Sequence, residues 1–203
     1  MKTEKDKMLK GELYDASDTI LLDERKKARE LIHRLNYTEY GNDSTYRSIL
    51  NTLLPNSATD IIIEPPFYCD YGYNIYSGSK VFFNFNCVLL DVMPIEIGSN
   101  VLFGPNVQVY TATHPVDAIR RREGLESAKP VTIGDDCWIG GNAVILPGVT
   151  IGKRCVIGSG AVVTKSIPSD FTVVGNPAKQ IHNNNGHKDE EYNEYNIRRN
   201  WKK

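Results

Sequence analysis

Long apolar runs are missing from this 203-residue chain. No stretch approaches the roughly 20 consecutive apolar residues that a helix needs to cross a bilayer. The opening MKTEKDKMLKGELY is charged where a secretory leader would be apolar. A cytoplasmic location with no membrane partner is therefore expected. An excess of one charge is missing too: 24 Lys and Arg face 25 Asp and Glu, for a net charge of −1. That balance gives no overall attraction to nucleic acid. Histidine is scarce at four residues, and His114 is the only one between His33 and His182. A histidine cluster of the kind that holds catalytic zinc is thereby excluded from the middle of the chain, and no metal is expected. There are four cysteines, Cys69, Cys87, Cys137 and Cys155. Three fall on repeat positions described below, so buried free thiols are expected rather than disulfides or metal ligands.

What is present is a short repeat. From Ile133, steps of six reach Ile139, Ile145, Ile151, Ile157 and Val163, all β-branched aliphatics. Gly134, Gly140, Gly152 and Gly158 follow four of them, and a second small or apolar set, Cys137, Ala143, Val149, Cys155, Ala161 and Ile167, sits four residues after each. A period of six fits neither a helix nor one long strand; a fixed short period is the mark of a solenoid. A short strand with one inward aliphatic, then a glycine free to turn, predicts a flat wall and a corner. Three walls make one triangular coil. Stacking places Ile133 on Ile151 and Ile139 on Ile157, burying an apolar column. Backwards, Ile97, Phe103 and Val109 keep the step, and Ile75, Val81 and Cys87 form an earlier set. The step of ten from Cys87 to Ile97 implies four added residues. Between Val109 and Ile133 the stretch Thr111 to Pro130 has no ladder and reads as a loop ejected from the wall.

The expected organisation is an N-terminal helical segment at 1–60, a β-helix at 61–182 with the loop at 111–130, and a polar tail at 183–203. Glu4 to Gly11 predicts a short helix stopped at the glycine. Asp18 or Thr19 caps a second, with Leu22, Ala28, Leu31, Ile32 and Leu35 as its apolar stripe. Ser44 to Leu54 predicts a third, ended by Pro55. The tail after Ile181 reads as weakly ordered, or as a late helix around Glu190 to Trp201.

Several motifs in order carry a resemblance. TATHPVD (Thr111 to Asp117), DCWIGGNAVILPGVTIG (Asp136 to Gly152), IGSGAVVTKSIP (Ile157 to Pro168) and VVGNPAK (Val173 to Lys179) resemble the hexapeptide-repeat acyltransferases. KMLKGELY, EPPFYCDYGYNI and NFN narrow this to a chain similar to the maltose and galactoside O-acetyltransferases. The resemblance covers nearly all of residues 1–182. It implies a left-handed parallel β-helix, a homotrimer with sites between subunits, acetyl-CoA as acetyl donor, and a sugar as acceptor.

The resemblance also implies roles. A neutral hydroxyl is a poor nucleophile, so moving an acetyl group from a thioester to an alcohol needs a base, and imidazole is the side chain suited to that near neutral pH. His114 in the ejected loop matches the family's catalytic histidine, with Glu126 or Asp117 as the acid that orients it. The N–H of Gly141 is implied to meet the oxyanion. Trp138 is implied to line the pantetheine arm, with Ser159, Thr164 and Lys165 as further coenzyme contacts. Lys179 and His182 stand where relatives commonly carry arginines for the terminal phosphates, and Arg120, Arg121 and Arg122 are either an alternative phosphate contact or a solvated loop face. Asp15, Asp70, Asn84 and Asp91 match acceptor-contacting positions, with Tyr68, Tyr71 and Phe83 as walls for a sugar ring. Cysteine positions in the ladder point inward, which argues for direct attack without an acetyl-enzyme. The competing readings are the same fold with a non-sugar acceptor (an antibiotic, serine or an amine) and a solenoid without catalysis.

Overall fold

Residues 2–38 and 43–184 are described in the structure, a computed structural model. The late helix expected near Glu190 lies outside the described residues. Three parallel sheets are visited in rotation. The first wall stacks Ile75–Ser77, Ile95–Ile97, Val131–Ile133 and Thr150–Ile151. The second stacks Ile62–Ile63, Phe82–Phe83, Leu102–Phe103, Trp138–Ile139, Val156–Ile157 and Phe171–Val174. The third stacks Phe67–Cys69, Cys87–Leu90, Gln108–Tyr110, Val144–Ile145 and Val162–Val163.

The predicted stacking is present: Ile133 pairs with Ile151 and Ile139 with Ile157, in parallel register. Two inward columns run down each wall because side chains two apart on a strand share a face. One holds Phe103, Ile139 and Ile157; the other holds Val101, Cys137 and Cys155, and all six are buried. The cysteines Cys87, Cys137 and Cys155 are buried free thiols, as expected, and Cys69 is half-buried and free. Each fully buried aliphatic contributes about 1.5–3 kcal/mol, so the prism is held by many small, equal steps.

Two expectations about the ladder are corrected by register. Ile75, Val81 and Cys87 do not continue the column of Ile97, Phe103 and Val109. The residues opposite those three are Ser77, Phe83 and Leu89, so Ile75, Val81 and Cys87 belong to the second column. The enlarged corner from Leu89 to Ile97 spans eight residues, two more than the regular step, not four. The ladder glycines also do a different job. None of Gly98, Gly104, Gly134, Gly140, Gly152 and Gly158 has a positive φ; the left-handed residue sits two places later, at Asn100, Asn106, Asp136, Asn142, Arg154 and Gly160. The glycines serve close approach: a Cβ on Gly140 would lie 2.6 Å from the Ser159 nitrogen in the next coil.

Helices close one end. Among the described residues the helices are α1 (Glu4–Met8), α2 (Thr19–Asn36), α3 (Asp43–Leu53) and, in the ejected segment, α4 (Ala118–Arg122); α2 and α3 cover the first coil. Asp18 caps α2 by accepting from the N–H groups of Ile20 and Leu21. The buried stripe of α2 is Leu21, Ala28, Ile32 and Leu35, whereas Leu22 faces out. Three of the four, together with Ile49, Leu50 and Leu53 of α3, share one core with Ile61, Ile63 and Phe67 of the first coil. The supposed polar tail begins as a strand, Lys179–Asn183, antiparallel to Phe171–Val174. Among the described residues no helix is long and apolar enough to cross a membrane, and no three His, Cys, Asp or Glu side chains gather as a metal site.

Candidate active site

The ejected segment is a folded hairpin. Ala112–Thr113 pairs antiparallel with Leu125–Ala128, which pairs in turn with Tyr14–Asp15 from the N-terminal segment. Asp117 caps α4 by accepting from the Arg120 N–H. Arg121 donates through Nη1 to the Pro115 and Val116 carbonyls at 3.0 and 2.9 Å. That guanidinium therefore fixes the two peptides after His114. Of the three arginines, this one has a loop-shaping task that the sequence did not suggest.

His114 is exposed, one residue beyond Ala112–Thr113. The hairpin pairs Ala112 with Ala128 and Thr113 with Ser127; His114 follows the last paired residue of one strand, and Glu126 precedes the last paired residue of the other. Glu126 is also paired with Tyr14 on its other flank and accepts a 2.6 Å hydrogen bond from the Tyr14 hydroxyl. Of the two acids named from sequence, Asp117 is occupied by a helix cap, and Glu126 is on the strand that pairs with the one leading to His114.

Around this group lie the expected acceptor carboxylates. Asp15 is exposed next to Tyr14 and accepts from the Ser17 N–H and hydroxyl, which hold its carboxyl below the usual range. Asp70 is half-buried, and burial pushes its carboxyl up; Arg25 pulls the other way, and the Glu126 charge adds to the rise. Arg25 donates to the Tyr71 hydroxyl at 2.6 Å and to the Ala16 carbonyl.

Asp91 is different. It is fully buried in the enlarged corner, where its carboxylate accepts from the N–H groups of Asp70 and Tyr71 at 2.9 Å and of Asn74 at 3.3 Å. Burial pushes its carboxyl up to about 7, against the pull of the Tyr71 N–H, and the neighbouring Asp70 charge adds to it. The carboxylate thus supports the turn that carries Asp70 from behind and offers no surface of its own. Tyr68 is exposed, but Tyr71 is buried and Phe83 is fully buried, stacked on Phe103 at 4.5 Å between ring centroids. Phe83 is a core residue, not a wall for a sugar.

The remaining residues gather on other edges of the prism. The corner between the second and third walls stacks Asn84, Gly104, Gly140 and Gly158, linked by N–H to carbonyl bonds from coil to coil. Gly141 and Ser159 follow on the same edge, joined by the Gly160 N–H to the Gly141 carbonyl. Trp138 points out of the second wall at 54% exposure. Its outward register mates are Ile62, Phe82, Leu102 and Val156, an unbroken apolar stripe. The first wall instead shows Tyr76, Glu96, Thr132 and Thr150. Thr164 and Lys165 are exposed at the corner after the third wall, the corner from which the hairpin leaves lower down. Lys179 is exposed and His182 half-buried on the terminal strand. Within one chain, His114, Asp15, Asp70 and Glu126 occupy one edge region, while Asn84, Gly141 and Ser159 occupy another. A wall of six residues, at most about 20 Å, separates them.

A family profile described as "Bacterial transferase hexapeptide (six repeats)" matches residues 130–165, and one described as "Maltose acetyltransferase hexapeptide capping motif" matches residues 7–57. A maltose O-acetyltransferase from Clostridium difficile 630 is 47% identical, with a TM-score of 0.88 over 90% of this chain and 97% of its own. The chain is a hexapeptide-repeat acetyltransferase. This acetyltransferase is also similar to a hexapeptide-repeat acetyltransferase of Vibrio cholerae in complex with acetyl-coenzyme A, with 37% identity and a TM-score of 0.80 over 90% and 98% of the two chains. A galactoside acetyltransferase in complex with coenzyme A matches at 31% identity and a TM-score of 0.85 over 95% and 94%. Tyr14 and Arg25 were missed from sequence, and Arg121 was named without its loop-shaping role. A two-residue strand such as Tyr14–Asp15 has no periodicity to read, and a lone arginine on a helix resembles any solvated charge.

Proposed function

We propose that this acetyltransferase moves the acetyl group of acetyl-CoA to a hydroxyl of a sugar of the maltose, glucose or galactoside type, with His114 as general base. The imidazole takes the hydroxyl proton as the oxygen attacks the thioester carbonyl. The tetrahedral oxyanion meets the Gly141 N–H, and the C–S bond then breaks. The leaving sulfur takes the proton from the imidazolium, giving a sugar acetate and free CoA. Positioned base catalysis is worth about 10²–10⁴-fold. The observation that carries the reading is the exposed His114, one residue beyond the strand Ala112–Thr113, in a hairpin that leaves an otherwise regular wall. Asp15, Asp70 and Asn84 are proposed to bind sugar hydroxyls, with Asp91 holding the Asp70 turn.

Trp138, Ser159, Thr164, Lys165 and Lys179 are proposed to follow the coenzyme from its arm to its phosphates, lysine acting as a point charge. His182, half-buried on the terminal strand, is proposed to flank Lys179 there. The separation of the two groups across one wall supports a site completed by a neighbouring copy, and the apolar stripe through Trp138 offers the surface for it. A homotrimer is the proposed assembly.

Acetyl-CoA consumption with maltose, glucose, galactosides and unrelated alcohols tests this. His114→Ala is expected to lose at least about a hundredfold with coenzyme affinity unchanged by calorimetry. Full activity in that variant, or in a species that light scattering finds monomeric, overturns the respective part.

A further inference from the structure

The N-terminal segment does more than close the prism. Tyr14 is fully buried, yet its hydroxyl reaches Glu126 in the ejected hairpin at 2.6 Å. It gets there because Tyr14–Asp15 forms the outer strand of the sheet whose middle strand is Leu125–Ala128 and whose far strand ends next to His114. Tyr14 and Glu126 are register-matched, and the strand on the far flank of Leu125–Ala128 runs to Thr113, the residue before His114. Burial and the bond to Glu126 raise the Tyr14 hydroxyl far above its ordinary pKa, so it stays a donor throughout the working range.

The geometry points to Tyr14 as a positioning residue of the reaction: a phenol that fixes one carboxylate oxygen of Glu126 so that the other faces the His114 imidazole. A carboxylate tied on one side has fewer rotamers to lose when it takes the imidazole N–H, and a hydrogen bond to a charged acceptor is stronger than a neutral one. The Glu126 charge adds to the rise of the Asp70 carboxyl, behind burial as the main cause. A bond at Tyr14 prevents the carboxylate from swinging away from the base. The inference rests on the proposed role of His114 and adds to it a group 100 residues upstream.

Tyr14→Phe keeps the buried ring and deletes only the donor. We expect kcat to fall about fivefold to thirtyfold, with KM for acetyl-CoA unchanged. The lower pKa of the kcat/KM profile should shift, and NMR of labelled histidine should show His114 losing its single ring tautomer. Tyr14→Phe in a Glu126→Gln background should add less than about twofold, because a residue acting only through Glu126 has nothing left to act on. Glu126→Asp, too short to reach the phenol, should show the same kcat loss and serves if the phenylalanine variant does not fold. An unchanged kcat and pH profile in Tyr14→Phe, additivity in the double variant, or full activity in Glu126→Asp overturns the assignment. If His114→Ala retains activity, the base reading itself falls; if it does not and the cycle is additive, only the role of Tyr14 falls.

Discussion

The coils from Ile133 to Val163 and those from Gly72 to Pro130 are built on one plan and treat polar groups in opposite ways. In the first, every inward position is aliphatic, alanine or cysteine, and corners repeat without insertion. In the second, three polar side chains are buried, Asn74, Asp91 and Thr111. Asp91 takes three backbone N–H groups, and the Thr111 hydroxyl donates to the Leu90 carbonyl at 2.6 Å while accepting from the Met93 N–H. Those bonds are what an irregular corner needs, because backbone groups that leave the coil-to-coil ladder must find other partners. The regular half supplies rigidity; the interrupted half spends polar groups to hold side chains away from the wall, where chemistry is possible.

Four changes would break or sharpen that contrast. The largest effect is expected in the stacked core: Phe103→Ala, under Phe83 and over Ile139, should cost about 3–5 kcal/mol and lower the melting point by on the order of 10 °C, with kcat of the folded enzyme preserved at low temperature. Asp91→Asn comes next and is pH-dependent. The folded-state pKa of Asp91 is raised to about 7 from an ordinary aspartate value. Its contribution to stability is therefore fully present below the unfolded value and is lost as pH rises through about 7, by up to about 1.4 kcal/mol per pH unit. Melting curves from pH 5 to pH 8 should fall more steeply for the parent than for Asp91→Asn; parallel curves would remove the buried carboxylate from the account. Arg121→Ala should lower kcat about fivefold through loss of two exposed carbonyl contacts worth about 1 kcal/mol, with the melting point unchanged. The smallest change is a gain. Ser77 occupies a column position where the coils above carry Ile97, Ile133 and Ile151, and its hydroxyl oxygen is buried with no hydrogen-bond partner among the described residues. Ser77→Ala should raise stability by roughly 1 kcal/mol, about 2–4 °C. A loss there would mean that the hydroxyl is satisfied in solution.

Much of this was legible from residues. The step of six gave the walls, the stacking of Ile133 on Ile151, and the buried thiols, because burying an apolar column is a local and periodic demand. The start of α2 was legible as a cap by Asp18 or Thr19, because capping is made within three residues of chain; the structure has Asp18. The column assignment of Ile75, Val81 and Cys87 was not. Two inward columns lie two residues apart, and spacing alone cannot say which one a short apolar set continues once a corner is enlarged. The glycines were misjudged in kind: the turn is made two residues later by Asn, Asp, Arg or, once, Gly160, and the glycine is required by the backbone of the neighbouring coil. Phe83 resembled a site aromatic until its stack on Phe103 put it inside.

By itself the sequence determined the repeat, the point where the wall is interrupted, and the single histidine at that interruption, since each is set by residue type and spacing along the chain. Only tertiary structure decided that Asp91 faces inward, where it takes N–H groups 17 to 21 residues earlier in the chain, and that Tyr14 holds Glu126 across 112 residues. The first depends on how one coil stacks on the next and the second on antiparallel register between distant strands, and both are fixed by packing and hydrogen bonds across the fold, which no local pattern encodes.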